Sequence, residues 1–296
     1  MNIFRYLSEL ASLKNQVREL RASLERLTIK TDPYSNIPLY DLGILDRHNI
    51  ARQIFRDEIQ RPNYAFGIWL ATIQAAKLGI TKLSILEFGV AGGEGLLNLC
   101  DICAKVSAST DIKFDIFGFD SEIGMPPLLD FRDHPEIWQE GQFLSDHNLI
   151  RMKLPANATL FSGNIKSTLP NFIRNHLTPS SPLGFVSIDV DLYSSAKDCF
   201  HAFEKENPLC YLPTSIVYID DINDLLTLNN YAGEALAISE FNINNKTRKL
   251  DMMAIRQNHP PRGWHDHIYG LHVLDHPIRS GNFLKGGLHN INITAM

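Results

Sequence analysis

The sequence predicts an α/β protein, an open seven-stranded and mostly parallel sheet with helices on both faces, preceded by a separate coiled-coil helix. Three observations carry this expectation. From Leu83 onward, short β-rich runs alternate with helical stretches, the pattern of strands joined by crossover helices. The first run ends at Glu87 and passes through Gly89-Val-Ala-Gly-Gly-Glu-Gly95 into a helix, and such a turn lets a ligand approach backbone that carries no Cβ. Aspartates then recur where later runs end, at Asp120, Asp189, Asp191, Asp220 and Asp221.

The first thirty residues carry their own pattern. Ile3, Leu10, Val17 and Leu24 recur with a seven-residue period, and Tyr6, Leu13, Leu20 and Leu27 fill the second seam. Residues 1–30 are therefore expected to form a coiled coil that joins copies of the chain into a homo-oligomer. Residues 31–45 read as a linker, because Thr31 to Leu39 holds two prolines with Asp32, Ser35 and Asn36. The main domain is then 46–296. Its first part, about 46 to 79, reads as helical, with Ile50, Ile54, Ile59, Phe66 and Trp69 supplying an apolar surface that covers the sheet or the site.

Five runs follow as strands: Leu83 to Phe88, Lys113 to Phe119, Thr159 to Ser162, Phe185 to Asp189 and Ser215 to Ile219. Asp251 to Arg256 and Gly270 to Leu274 complete the expected seven. Residues 121–158 exceed an ordinary crossover and contain Met125-Pro126-Pro127, Trp138 and three acidic residues between Asp130 and Glu136. An insertion there sits at the carboxyl edge of the sheet, where open α/β folds bind ligands, and reads as a substrate lid.

Bulk properties narrow the chemistry. A chain of 296 residues with 44% hydrophobic content can bury a sizeable core. Its net charge of −5, with no basic run, lacks the footprint of a nucleic-acid binder. No apolar stretch approaches the ~20 residues of a transmembrane helix, and the N-terminus lacks a secretory pattern, so the protein is expected in the cytoplasm. Cys100 and Cys103 form a Cys-x-x-Cys pair without a second pair for zinc and read, like Cys199 and Cys210, as structural thiols.

A dinucleotide fingerprint requires G-x-G-x-x-G with an acidic residue ~20 positions on. Here Glu87, Gly89, Ala91, Gly93 and Gly95 alternate instead, which resembles the first motif of class I S-adenosylmethionine-dependent methyltransferases, whose sheet is Rossmann-like. Asp120, with Ser121 beside it, can accept both ribose hydroxyls of such a cofactor, and Gly163-Asn164 after the third strand would line its adenine. Glu87 can contact a polar, cationic or hydroxyl-bearing group.

The aspartates Asp189, Asp191, Asp220 and Asp221 close neighbouring strands, and like charges brought together there need compensation. Oxygen ligands select a hard divalent cation such as magnesium, calcium or manganese. Beside such an ion a carboxylate can take the proton of a substrate hydroxyl, whose oxygen then displaces the sulfonium-bound methyl in line. Asp189 and Asp191 are both candidates for that base.

Five ordered motifs extend the resemblance over about residues 83 to 245: Glu-Phe-Gly-Val-Ala-Gly-Gly, Gly-Phe-Asp-Ser, Ile-Asp-Val-Asp-Leu-Tyr, Ile-Asp-Asp-Ile and Tyr-Ala-Gly-Glu-Ala-Leu-Ala-Ile-Ser-Glu-Phe. Together they resemble the macrocin O-methyltransferase family. That resemblance implies magnesium held by Asp189, Asp220 and Asp221, Asp191 as general base, and Glu87, Gly89 and Asp120 on the cofactor. It also implies a sugar hydroxyl of a small molecule or glycan as acceptor. The competing function is a non-catalytic assembly partner organised by the coiled coil. The histidines His259, His265, His267, His272 and His276 match no zinc spacing and read as surface and strand-turn residues that could border the acceptor pocket.

Overall fold

A computed structural model describes residues 16, 17, 19, 20, 48, 50–223, 226, 227, 229–255 and 262–280. The chain divides into two units, 1–41 and 42–296. The expected coiled coil and linker lie outside the described residues except for Gln16, Val17, Glu19 and Leu20, which are helical, with Val17 and Leu20 exposed.

The second unit begins with two helices, α1 (Ile50–Phe55) and α2 (Pro62–Lys77). The single helical segment expected there is broken because Arg61 takes a left-handed conformation (φ 52°) and Pro62 starts the next helix, where its missing N–H costs nothing. Then come β1 (Lys82–Phe88), α3 (Glu94–Ser109), β2 (Lys113–Asp120), α4 (His147–Arg151), β3 (Ala158–Ser162), α5 (Ile165–Asn175) and β4 (Leu183–Ile188). The chain continues through α6 (Tyr193–Phe200), β5 (Tyr211–Ile219), α7 (Gly233–Asn244), β6 (Arg248–Met252) and β7 (Ile268–Val273).

The seven strands lie in the order β3-β2-β1-β4-β5-β7-β6. All pairs from β3 to β5 are parallel, and β7 runs antiparallel to both β5 and β6. Two strand expectations shift by three residues or more. β5 starts at Tyr211 rather than Ser215, because the strand absorbs Pro213 at an irregularity in its pairing with β4. β6 occupies Arg248–Met252 rather than 251–256, because the edge strand tolerates the charged Arg248 and Lys249 that resemble a turn, with Arg248 buried against Asp275.

Helices α2 and α3 cover one face and α5, α6 and α7 the other. On the second face Leu86, Phe88, Phe117, Phe119, Val186, Ile188, Val217 and Ile219 meet Leu169, Phe172, Phe200 and Phe241 in one core. On the first, Gly67 lets α2 lie close to the sheet, since a Cβ there would stand 2.4 Å from the Phe185 ring. Gly67→Ala is therefore expected to cost roughly 1–3 kcal/mol by overpacking, readable as a lower urea midpoint. An unchanged midpoint would mean that the Phe185 ring yields freely.

Cys100 and Cys103 are buried on α3 as free thiols, and Cys199 and Cys210 are buried and free as well. Among the described residues no helix is long and apolar enough to cross a membrane.

Candidate functional site

The chain leaves β1 toward β2 and β3 and returns through β4 toward β5, so the direction of winding reverses between β1 and β4. Open α/β sheets form their binding crevice at such a switch point. The first residue beyond each strand is pinned to its neighbour: Gly163 N donates to Asp120 O (2.9 Å), Gly89 N to Phe119 O (2.9 Å), Asp189 N to Phe88 O (3.0 Å) and Asp220 N to Ile188 O (3.0 Å). Backbone pairing thus sets Asp120, Gly89, Asp189 and Asp220 in a row along one edge.

A cleft of about 210 Å³ opens at this edge. Gly89, Ala91, Asp120, Ser121, Asn164, Asp189 and Asp191 line it, together with apolar Phe119, Met125, Pro126, Phe143 and Ile165. Its mix of apolar wall and few polar groups is that of a small-ligand site. Residues 121–157 supply one wall through Ser121, Gly124, Met125, Pro126 and Phe143. Buried Asp133 ties this connection down, accepting from Ser194 N on α6 and from Leu129 N, both at 2.8 Å.

Glu87, Gly93, Gly95, Gly163, Asp220 and Asp221 do not line the cleft. The glycines of the turn answer to protein contacts. At Gly89 (φ 83°) a Cβ would stand 1.6 Å from the Asp189 carbonyl oxygen, at Gly93 2.9 Å from Ile150, and at Gly95 2.1 Å from Glu87 Oε1. Glu87 therefore lies buried behind the turn, where Tyr64 of α2 donates to its Oε1 (3.0 Å) and Ser187 donates to the Tyr64 hydroxyl (2.8 Å). Burial pushes its carboxyl up to about 8, with the negative Asp189 and Asp120 adding to the rise against the Tyr64 bond. Its Oε2 is buried with no hydrogen-bond partner, an acceptor available to a bound cationic or N–H group.

Asn164 lines the cleft at the start of α5, and its side chain accepts from Lys166 N (2.9 Å) as a helix cap. Asp120 accepts from Val90 N and Ala91 N, both at 2.8 Å, and from His147 at 2.9 Å.

Beside the cleft-lining Asp189, carboxylate oxygens of Asp189, Asp220 and Asp221 lie within 4.8 Å of one another. Among the described residues theirs is the one group of three or more such side chains with that spacing. Burial, then Asp220 and Asp221, push Asp189 up to about 7. Burial, then Asp221 and Asp189, push Asp191 up to about 8, and its backbone is left-handed (φ 61°). Tyr218 donates to Asp220 Oδ1. The donor set is all oxygen, crowded and negative, which fits a hard divalent cation.

Three contributors were not among the expected site residues. Glu234, buried on the first turn of α7, accepts from Asp221 N (3.1 Å) through Oε2 while its Oε1 has no hydrogen-bond partner. Burial and then Asp221 hold its carboxyl well above the usual carboxylate range. Its signal in the sequence is an acidic residue inside the apolar run Tyr-Ala-Gly-Glu-Ala-Leu-Ala. Tyr64 and His147 carry no comparable signal. Of the C-terminal histidines, His265 and His276 are buried, His267 bonds the Ile219 carbonyl (2.9 Å), and His272 lies on β7; His259 is outside the described residues.

The chain matches no protein-family model and no curated protein. Among solved structures it is similar to CalS11, a calicheamicin methyltransferase, at 19% identity over 80% of this chain and 83% of that one, with a TM-score of 0.50. It is also similar to the O-methyltransferase TomG from Streptomyces achromogenes in complex with SAM, at 12% identity over 81% and 96% of the two chains (TM-score 0.42). An O-methyltransferase from Bacillus cereus in complex with SAH aligns at 12% identity over 84% and 96% (TM-score 0.40). The likeness to CalS11 shows the fold: this seven-stranded sheet has the methyltransferase arrangement.

Proposed function

We propose that the protein is an S-adenosylmethionine-dependent O-methyltransferase that uses magnesium or another hard divalent cation and methylates a hydroxyl of a sugar or sugar-bearing small molecule or glycan. One observation carries it: the oxygens of Asp189, Asp220 and Asp221 converge within 4.8 Å, and Asp189 lines the cleft together with Gly89 and Ala91 of the glycine turn. The acceptor class rests on the five ordered motifs of the sequence, and residues 121–158 are read as the lid over it.

When bound, the donor supplies a methyl on a positively charged sulfur, and the cation draws charge from an oxygen placed beside it. Asp189, Asp220 and Asp221 would hold the cation, and Glu234, hydrogen-bonded to the Asp221 amide, fixes the backbone from which two of them project. Asp191 lines the cleft next to them and takes the proton of the acceptor hydroxyl. Burial raises its proton affinity above that of an exposed aspartate. Phe119, Met125, Pro126 and Phe143 exclude water from the transfer path. Glu87, behind the turn, and Asp120, at the cleft wall, are the acceptors for the donor's polar ends.

The double variant Asp220→Ala/Asp221→Ala is expected to lower metal-stimulated methyl transfer on the order of a thousandfold while S-adenosylhomocysteine still binds. Screening nucleotide sugars and glycans with the metal varied supplies the acceptor. Turnover that persists unchanged in the double variant would remove the metal from the reading.

A further inference from the structure

Asp120 has a partner that no motif foretold. His147, 5% exposed at the first position of α4, reaches Asp120 Oδ1 through Nε2 (2.9 Å) and Ser162 Oγ through Nδ1 (2.6 Å). Arg151, on the last turn of the same helix, donates to Ser162 Oγ. Asp120 Oδ2 already accepts two backbone N–H groups, from Val90 and Ala91 of the glycine turn. In either protonation state of the imidazole, Nε2 is the donor to the carboxylate, because a carboxylate here only accepts. A continuous relay therefore joins the ends of β3 and β2 to the glycine turn. The same helix backs the turn a second time, since Ile150 occupies the space a Cβ on Gly93 would need, at 2.9 Å.

A carboxylate offers about four lone-pair sites, and three on Asp120 are taken. Asp120 lines the cleft. One site, on Oδ1, is left, so Asp120 in this arrangement can accept one ribose hydroxyl rather than the pair expected from the sequence.

We propose that His147 is a positioning residue for the methyl donor: it locks Asp120 and, through Asp120, the amides of Val90 and Ala91, so that a single acceptor site faces the ribose. The proposal rests on the methyltransferase reading of the cleft. Without the imidazole, Asp120 keeps only the Val90 and Ala91 amides, Ser162 loses its Nδ1 partner, and the helix is left with Arg151 on Ser162 and Ile150 against Gly93.

The test titrates S-adenosylhomocysteine into the full chain and into His147→Ala, His147→Gln and Ser162→Ala, and follows amide exchange of the 88–95 segment and manganese binding alongside. His147→Ala should weaken S-adenosylhomocysteine on the order of ten- to a hundredfold, the loss of one charge-assisted buried bond. His147→Gln, which retains an N–H donor, should recover most of that loss. Ser162→Ala, which spares the histidine, should weaken binding less, and keeps the test open should His147→Ala not fold. Exchange should quicken in 88–95 while manganese affinity stays within twofold, an effect that a general loss of stability would not produce. If the wild-type chain binds S-adenosylhomocysteine and both His147→Ala and Ser162→Ala bind within twofold of it, the positioning role falls and the methyltransferase reading stands. If the wild-type chain does not bind it, both fall together.

Discussion

Gly89→Ala is expected to destabilise the protein by about 3 kcal/mol or more and to abolish donor binding. Two penalties combine at this position. Its φ of 83° lies in the left-handed region, where a side chain costs roughly 1–2 kcal/mol. A Cβ would also stand 1.6 Å from the carbonyl oxygen of Asp189, a backbone atom that cannot move away without dragging β4. That carbonyl is followed by Val190 and Asp191 on the cleft wall, so relief of the clash displaces the acidic side of the site from the glycine side. Urea unfolding of the metal-free chain together with an S-adenosylhomocysteine titration checks this. A loss below about 1 kcal/mol with intact binding would show that β1 and β4 are not held at this separation.

Divalent-cation affinity is expected to climb steeply with pH between about 6 and 8. Asp189 and Asp191 are pushed up to about 7 and about 8, first by burial and then by their acidic neighbours, so below neutrality the metal-free site holds protons. An ion must displace the proton from its ligand Asp189, and its charge favours loss of the proton from neighbouring Asp191. The sign follows: lowering pH favours the protonated, metal-free site, and raising pH through these values removes the competition. Each proton displaced contributes about tenfold in affinity per pH unit, so two give up to about a hundredfold between pH 6 and pH 7. Above about pH 9 the dependence should flatten. Calorimetric titration of manganese at several pH values, in buffers of different ionisation heat, measures both the affinity and the protons released. Affinity that is flat across this range, with no proton release, would place the ion somewhere other than on these carboxylates.

Much of the architecture could be read from local pattern. Leu83 to Phe88 and Lys113 to Phe119 are short runs rich in aliphatic and aromatic residues, and their strands fall within one residue of expectation. The glycine turn and the Asp-x-Asp and Asp-Asp pairs were equally visible, because a strand end followed by glycine or aspartate is a local signature. Boundaries failed where tertiary context overrode composition. Pro213 lies inside β5 at a pairing irregularity, and Arg248 is buried on an edge strand by its ion pair with Asp275.

What local pattern left out is how distant side chains complete the site. Tyr64 reaches Glu87 across 23 positions, and His147 reaches Asp120 across 27, from segments whose own sequence reads as covering helix and loop. Glu234 joins the aspartates only because α7 docks its first turn against the loop after β5. Residue type and spacing along the chain thus prescribe the strands, the turn and the acidic strand ends. Which oxygens face the cleft, which are consumed by protein donors and which are pushed toward neutrality depends on burial and on partners brought in by packing. These quantities arise from the folded arrangement in three dimensions and have no counterpart in the order of residues.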